Sequence, residues 1–296
     1  MGIYTAPYKL AYSTNGANLD TNLSLSAGTY DITVQEWDNC GWSAKAQMKL
    51  TVATSPTPAP NAKTFSDLQS QTGWSSYALL APSWGICSTC TSTGSQLSWS
   101  WTQNISSPSF DGLSTKSYYG GGTVKWGDVL FNNHLIGSFS SQGLPDYNHT
   151  LVPTLHNFTY DVYFWVKDAS VSQAMEFDIN QFTGGHSFIW GHECRIAGGH
   201  QWDVYDNVNK KWVPTGVPCN PISGAWNHLV INVQRTSGNQ LLYKSIALNG
   251  KTATLNHYES PTSTSWNGVT INYQLDGNGA GTPYTVYLDK LNFTIQ

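Results

Sequence analysis

Apolar and polar residues alternate with a period of two along much of this chain. Such alternation predicts β-strands, because successive side chains of a strand point to opposite faces of a sheet. The pattern occurs near the start, at residues 23–25, 30–34 and 48–52, and recurs to the last residue, at 160–166, 174–182, 229–233, 242–248, 269–275 and 285–295. No amphipathic helix of three turns interrupts these runs, so we expect an all-β protein.

A proline-rich stretch separates two strand-rich parts of the chain. Prolines occur at every second position of residues 55–60, which favours an extended, semi-rigid spacer. We therefore predict a small N-terminal module at residues 1–53, a linker at 54–61 and a main domain at 62–296. The main domain is long enough for a single large β-sandwich.

Composition narrows the set of partners. Charged residues make up 11% of the 296 residues and the formal net charge is -4, so the chain lacks the basic field that gathers nucleic acid or anionic lipid. Thirteen Trp, sixteen Tyr and twenty-seven Gly against three Met are typical of sheets with stacking surfaces and tight turns. We expect a monomer that binds neither nucleic acid nor membranes.

The five cysteines indicate an oxidising compartment. They occur in a chain that is poor in charge and rich in Ser and Thr, which favours disulfides over metal thiolates. Cys194 and Cys219 are expected to pair, and Cys87 with Cys90 to close a small ring. From these cysteines we expect an exported, extracellular protein. The first residues show neither a basic start nor an apolar signal core, so we expect its signal peptide to be missing from this sequence.

The run 175–180 brings acidic residues to one face of a strand. Met175, Phe177 and Ile179 share one side, which leaves Glu176, Asp178 and Asn180 on the other. An ordinary exposed strand shows the same alternation, so the pattern alone fits both a catalytic and a merely solvated face. Only four Glu occur in the chain, and Glu176 alone lies in a cleanly alternating strand with a second acid two positions on.

Other strands carry side chains suited to a sugar. Aromatic rings stack on the apolar face of a pyranose, while amides and carboxylates bind its hydroxyls. Each aromatic could equally fill the core. The residues that we expect to bind substrate are Trp165, Tyr163, Trp190, Trp202, Asn180, Gln274 and His200.

Three resemblances to known families follow from these runs. Residues 23–40, with Ala27-Gly28-Thr29 before the strand at 30–34, resemble the closing strands of bacterial immunoglobulin-like modules, which implies a partial module of that kind. The run 175–180, a Gly-containing turn at 183–185 and Trp202-Asp203-Val204-Tyr205 resemble glycoside hydrolases of family twelve. The segments 225–229 and 286–291 look like strands of concanavalin-like lectin domains. Together these likenesses imply a concanavalin-like jelly-roll β-sandwich.

The family-twelve likeness implies a secreted hydrolase acting on a β-glucan or a related polysaccharide. In that case Glu176 is the nucleophile, Asp276 or Asp178 donates a proton, and Asp203 positions them. A glycosidase requires two carboxyls about 5–5.5 Å apart for retention or about 6.5–9.5 Å for inversion. Three other classes stay open, namely a noncatalytic carbohydrate-binding or lectin-like domain, a structural adhesion protein, and a polysaccharide lyase that uses Arg195 and His200.

The sequence does not specify a cofactor. His186, His192 and His200 are close in sequence, but their Gly-rich spacing defines no ligand geometry for copper or zinc. Residues 276–279 and 203–207 offer oxygen ligands without completing a calcium loop, so a structural Ca²⁺ stays open. Gly-x-Ser-x-Gly and phosphate-loop motifs are absent from the sequence.

Overall fold

The chain divides into two compact units, Met1–Pro60 and Asn61–Gln296. This computed structural model describes residues 1–296 except 17, 20, 22, 24, 27, 53–61, 80–96 and 123–124. The predicted linker at 54–61 and the predicted Cys87–Cys90 ring lie outside the described residues. Among the residues described, no helix is long and apolar enough to cross a membrane.

The N-terminal unit contains an antiparallel sheet, sheet A. Its strands are β1 (Gly2–Ala6), β2 (Lys9–Ser13), β3 (Gly28–Trp37) and β4 (Ser43–Val52), in the order β2-β1-β3-β4. Leu23 and Leu25 lie outside any strand, so the strand predicted at 23–25 is wrong. An immunoglobulin sandwich consists of two packed sheets, whereas the described residues of this unit form one.

The second unit consists almost entirely of strands. Short 3₁₀ turns occur at Leu68–Ser70, Val152–Thr154 and Ala169–Val171. The strands described are β5 (Lys63–Phe65), β6 (Trp74–Leu79), β7 (Trp99–Ile105), β8 (Ser114–Tyr119), β9 (Asp128–Gly137), β10 (Asn157–Val166), β11 (Ser172–Thr183), β12 (His186–Trp190), β13 (His192–Arg195), β14 (Gln201–Asp206), β15 (Lys211–Pro218), β16 (Trp226–Arg235), β17 (Leu241–Leu248), β18 (Lys251–Glu259), β19 (Thr262–Ser263), β20 (Gly268–Gly277) and β21 (Tyr284–Ile295).

These strands form two antiparallel sheets. Sheet B has the order β18-β17-β16-β10-β21-β8-β7, with β5 also paired to β21. Sheet C has the order β15-β14-β13-β11-β20-β9-β6, with β12 paired to β11 and β19. The strand β11, which carries Glu176, therefore lies in the middle of sheet C.

The facing sides of sheets B and C form the core. Tyr160 and Phe164 of β10 contact Phe177 of β11, with ring centroids 6.0 Å and 5.6 Å apart, and all three rings are fully buried. Two sheets that bury their inner faces against each other define a β-sandwich. The predicted all-β jelly-roll sandwich is thus confirmed, as are all six strands predicted between residues 160 and 295.

Candidate functional site

The acidic side chains of β11 lie on the face of sheet C that points away from the core. Met175, Phe177 and Ile179 are 0% exposed and belong to the core, so the alternation of the strand sends Glu176 and Asp178 to the opposite face. Glu176 is nevertheless only 8% exposed and Asp178 only 5%. This face is therefore largely screened from water.

Strand register places a row of polar side chains across this face. Glu176 lies directly opposite Gln274 of β20 on one side and Glu193 of β13 on the other, and Glu193 in turn lies opposite Asp203 of β14. Directly opposed residues of antiparallel strands have Cβ atoms about 4.5–5.5 Å apart. Asp276 of β20 and Asp128 of β9 are paired in the adjacent row. We call Glu176, Glu193, Asp276, Asp128 and Asp178 the carboxyl cluster.

Gln274 connects two carboxyls of the cluster. Its Nε2 donates to Glu176 Oε1 at 2.6 Å and to Asp276 Oδ1 at 2.8 Å. The charge of Asp276 also raises the pKa of Glu176. Two carboxyls bound to the same amide in a buried site disfavour simultaneous ionisation.

Burial raises the pKa of each member of the cluster. The pKa of Glu193 rises to about 8 because of burial and the nearby charges of Asp276 and Asp203. Burial is also the largest cause for Asp128, with a pKa of about 8, and for Asp178, with a pKa of about 7. The pKa values of Glu176 and Asp276 are raised well above those of ordinary carboxyls, first by burial, and then by the charge of Asp276 for Glu176 and by the charge of Asp128 for Asp276. The cluster therefore holds protons at neutral pH.

Asp203 lies at the end of this row, where its carboxylate forms an ion pair with Arg195. Arg195 Nε donates to Asp203 Oδ2 at 2.7 Å, and its Nη2 lies 3.4 Å from Oδ1. Glu193 separates Asp203 from Glu176 and receives a hydrogen bond from Gln173 at 3.1 Å. Asp203 is thus placed to influence Glu193 rather than to contact Glu176.

The sequence analysis missed Glu193 and Asp128. Glu193 lies on a four-residue strand, too short for its alternation to stand out, and only its pairing with β11 brings it beside Glu176. Asp128 begins β9, and its position opposite Asp276 depends on the register of β9 and β20. Strand parity could have placed each on a face, but pairing decides which acids meet.

Two predicted sugar platforms lie in the core. Trp190 and Trp202 are 0% exposed, and their rings contact Phe158 and Phe177 at 5.5 Å and 6.4 Å. A ring packed on all sides cannot stack on a sugar. The structure therefore corrects their assignment as substrate-binding residues, because their strands turn these side chains towards sheet B.

Tyr163 and Trp165 are also separated from the carboxyl cluster. Both lie on the outer face of sheet B, where Tyr163 stacks on His228 at 4.2 Å and Trp165 contacts Tyr287 at 5.7 Å. The two sheets of the sandwich lie between these rings and Glu176. The expectation that they bind the same sugar as Glu176 is thus wrong.

Asn180 and His200 remain near the predicted face. Asn180 shares the face of Glu176 four residues further along β11 and donates to Thr270 Oγ1 at 3.1 Å. His200 is exposed in the turn between β13 and β14. Gln274 contacts the carboxyls directly, as described above.

The potential metal ligands of this structure lie outside the carboxyl cluster. Within the described part of the chain, only Asp67, Asp111 and Asp289 bring three potential ligand atoms within 4.8 Å of one another. The amine of Lys290 already contacts Asp111 and lies 3.8 Å from Asp67. In the two segments with oxygen ligands for Ca²⁺, Asn278 Oδ1 accepts from the backbone N–H groups of Ala280 and Thr282, and Asp206 Oδ1 accepts from those of residues 208 and 209.

Comparison with known proteins finds similar folds only. No family model and no curated protein matches the sequence. A solved structure of a cellulose-induced protein, Cip1, has 10% identity and a TM-score of 0.42, covering 69% of this chain and 89% of that one. A carbohydrate esterase from the Shiga toxin-encoding bacteriophage phi24B has 12% identity and a TM-score of 0.39, covering 76% and 90%. Basic winged bean lectin in complex with Tn-antigen has 12% identity and a TM-score of 0.37, covering 75% and 98%. Such low identities leave the function to be inferred from the site itself.

Proposed function

We propose that this protein is an extracellular glycoside hydrolase that cleaves a neutral polysaccharide such as a β-glucan. The observation that carries the proposal is the direct opposition of Glu176 and Glu193 on adjacent strands, within a buried row of carboxyls. Glycoside hydrolysis requires one carboxyl that holds a proton and one that is ionised. The two sit on rigid strands, which favours a fixed catalytic geometry.

Glu193 is the best candidate for the proton donor. Its raised pKa, about 8, keeps the carboxyl protonated at neutral pH, as a general acid requires. In the proposed reaction its proton passes to the glycosidic oxygen as the bond from that oxygen to the anomeric carbon breaks, and the anomeric carbon bonds instead to the Glu176 carboxylate or to a water that Glu176 deprotonates.

Glu176 is the best candidate for the nucleophile or base. It accepts a hydrogen bond from Gln274 Nε2 at 2.6 Å and lies directly opposite Glu193. The hydrogen bond from Gln274 favours the ionised form of Glu176, whereas burial and the charge of Asp276 raise its pKa, so the proposed reaction requires Glu176 to lose its proton before it acts. Asp276, expected from the sequence as a possible donor, lies diagonally across from Glu176 on β20, because Gln274 is the residue paired directly with Glu176.

The charge of the face favours a neutral substrate. Five buried carboxyls line it, and the guanidinium of Arg195 is engaged by Asp203. A uronic acid polymer brings further negative charge, which a cluster that loses its protons would repel. A lyase also needs a cation to neutralise the uronate, and Asp203 occupies Arg195. The lyase alternative is therefore disfavoured.

A noncatalytic carbohydrate-binding domain is the second candidate. The low exposure of the cluster favours it, since no carboxyl of the five is more than 8% exposed. Such a domain would bind an insoluble glycan without releasing products. It would not depend on the protonation of Glu193.

Substitution of Glu176 and Glu193 tests the proposal. We expect Glu176→Gln and Glu193→Gln each to lower reducing-sugar release from neutral polysaccharides by roughly 10²–10⁴-fold, since each removes one of the two essential groups. Glu259→Gln, the same change on the edge strand β18 of sheet B, is the matched control and should keep full activity.

The screen uses β-1,3- and β-1,4-glucans, xylan and mannan, with products identified by mass spectrometry. Binding of wild-type protein without any product would support the second candidate. Unchanged turnover in Glu176→Gln would reject the assignment of this residue.

The proposed extracellular location has independent chemical support. Cys194 and Cys219 form the predicted disulfide, with Cα atoms 5.6 Å apart, and such bonds persist in oxidising compartments. Detection of the protein in the native culture medium tests this part of the proposal. Retention in the cytoplasm with reduced thiols would contradict it.

A further inference from the structure

Four aromatic rings gather at one end of sheet C. Trp266 lies 6.0 Å from His134, 6.0 Å from Phe139 and 6.1 Å from Phe182, measured between ring centroids. Phe139 is 71% exposed and Trp266 is 53% exposed. Large apolar rings at such exposure are unusual when they neighbour one another, and they often mark a binding surface. We call Trp266, Phe139, His134 and Phe182 the aromatic group.

The aromatic group lies on the same face of sheet C as the carboxyl cluster. Phe182 follows Glu176 by six residues on β11, an even number, so both side chains point to the same side. His134 is paired with Thr270, which is itself paired with Asn180 on that face. At about 3.3 Å per residue, Glu176 and Phe182 lie roughly 20 Å apart along the strand.

Uncharged polar groups lie on the face between the two sites. Asn132 Nδ2 donates to Asn272 Oδ1 at 2.5 Å, and Asn180 Nδ2 donates to Thr270 Oγ1 at 3.1 Å. Amides and hydroxyls are the groups that bind sugar hydroxyls through hydrogen bonds. The carboxyl cluster, these amides and the aromatic group therefore lie one after another on the same face of sheet C.

The loops that hold Trp266 and Phe139 are well anchored. Gly137 ends β9 with φ of +118°, and a Cβ there would lie 2.6 Å from the carbonyl oxygen of Asn267. Glycine thus allows the loop with Trp266 to approach the end of β9. The Asn267 side chain also donates to Asp146 at 3.2 Å and 3.3 Å. Rings held in place lose little freedom when a ligand binds.

From these observations we infer that the aromatic group forms a distal sugar-binding subsite, with Trp266 as its main platform. It takes a neutral pyranose unit of a chain whose cleaved bond lies at the carboxyl cluster. The inference rests on the proposed function, because it extends the same face of sheet C. It implies that the substrate is a polymer spanning several sugar units rather than a small glycoside.

The chemistry of the group fits a sugar better than a charged ligand. Trp and Phe rings stack on the C–H face of a pyranose. Burial lowers the pKa of His134, so its imidazole is neutral at pH 7 and can exchange hydrogen bonds with hydroxyls. Continuity with the polar face is the feature that favours a sugar chain over a second copy of the protein.

Binding to oligosaccharides of different lengths tests the inference on the full-length Glu176→Gln protein. The probes are the two-unit and six-unit oligosaccharides of the neutral polysaccharide that retards the wild-type protein most in affinity electrophoresis. We expect the six-unit chain to bind about ten-fold more tightly than the two-unit chain. Trp266→Ala should remove that advantage, and Trp266→Phe should restore most of it.

The control is Trp42→Ala, an exposed tryptophan of the N-terminal unit, which should leave both affinities unchanged. Several results would overturn the inference: retardation by none of the polysaccharides, equal affinity for the two chain lengths, or an unchanged six-unit affinity in Trp266→Ala. Loss of a dimer in Trp266→Ala, seen by light scattering, would likewise assign the rings to self-association.

Failure of the inference and failure of the proposed function are distinguishable. Absence of products from the wild type, combined with Trp266-dependent binding of the six-unit chain, would reject hydrolysis and keep the subsite. Hydrolysis that requires Glu176 and Glu193 but is unaffected by Trp266→Ala on polymer would keep the function and reject the subsite.

Discussion

At the scale of residues, the carboxyl cluster concentrates acids where water is scarce. Burial of an unpaired charge is costly, and such groups usually keep their protons instead. Burial raises the pKa of Glu176 and that of Asp276, and Gln274 donates to both carboxyls. The fold can bury these carboxyls because most of them are protonated and therefore neutral. The same burial raises their pKa values towards neutral pH, where they can donate or accept protons.

This protonation makes the stability of the fold depend on pH through Glu193. Its pKa is about 8 in the folded protein and about 4.3 when unfolded, so between these values the folded state binds more protons. Its contribution is complete below about pH 4 and is lost as the pH rises to about 8. We expect Glu193→Gln to make the free energy of unfolding fall less steeply between pH 5 and pH 8, by up to about 1.4 kcal/mol per pH unit.

Urea unfolding at several pH values measures this slope. Glu259→Gln serves as the control and should follow the wild type. A slope in Glu193→Gln equal to that of the wild type would contradict the raised pKa.

At the scale of elements, strand β13 is short but carries Glu193. It pairs with β11 over only three residue pairs, Ala174 to Glu176. The adjacent Cys194 is bonded to Cys219, which directly follows β15. The disulfide therefore ties β13 to the end of the β13-β14-β15 meander and helps to hold Glu193 in register with Glu176.

Removal of this disulfide should weaken the fold and the site together. The bond joins two cysteines 25 positions apart in sequence. Closing a loop of that size lowers the conformational entropy of the unfolded chain, which stabilises the fold by about 3 kcal/mol. We expect Cys194→Ala with Cys219→Ala to lose about that much free energy of unfolding in urea. Cys40→Ser, at an exposed free cysteine, should lose none. Equal stability of the double variant and the wild type would show that the bond does not stabilise the fold.

At the scale of the whole molecule, the core and both proposed sites belong to the second unit. Every residue of the main hydrophobic core follows Pro60, and so do the carboxyl cluster and the aromatic group. A unit with its own core is expected to fold alone. The N-terminal unit is thus not needed to assemble the proposed active face.

Deletion of residues 1–60 tests this independence. We expect residues 61–296 to unfold cooperatively and to keep hydrolysis of soluble polysaccharide within about two-fold of the full chain, since no proposed site residue is removed. Circular dichroism and reducing-sugar release measure the two properties. A molten or inactive fragment would show that the N-terminal unit contributes to the fold or to the site.

Local periodicity was enough to predict much of the fold. The strands at residues 160–166, 174–182 and 269–275 follow from alternation, because a half-buried strand must separate its apolar and polar sides. The same parity put Glu176, Asp178 and Asn180 on one face and Met175 in the core. Alternation could not tell a buried aromatic from a surface platform, and so Trp190 and Trp202 were assigned to the wrong side.

The sequence by itself determined that the chain is all-β, where its main strands lie, and which residues of a strand share a side. Only the tertiary structure decided which strands are neighbours, and so placed Glu193 beside Glu176, Asp128 beside Asp276, and Tyr163 and Trp165 on the other sheet. The physical reason is that parity is a local property of the backbone, whereas strand order and register depend on how two whole sheets bury their apolar faces against each other.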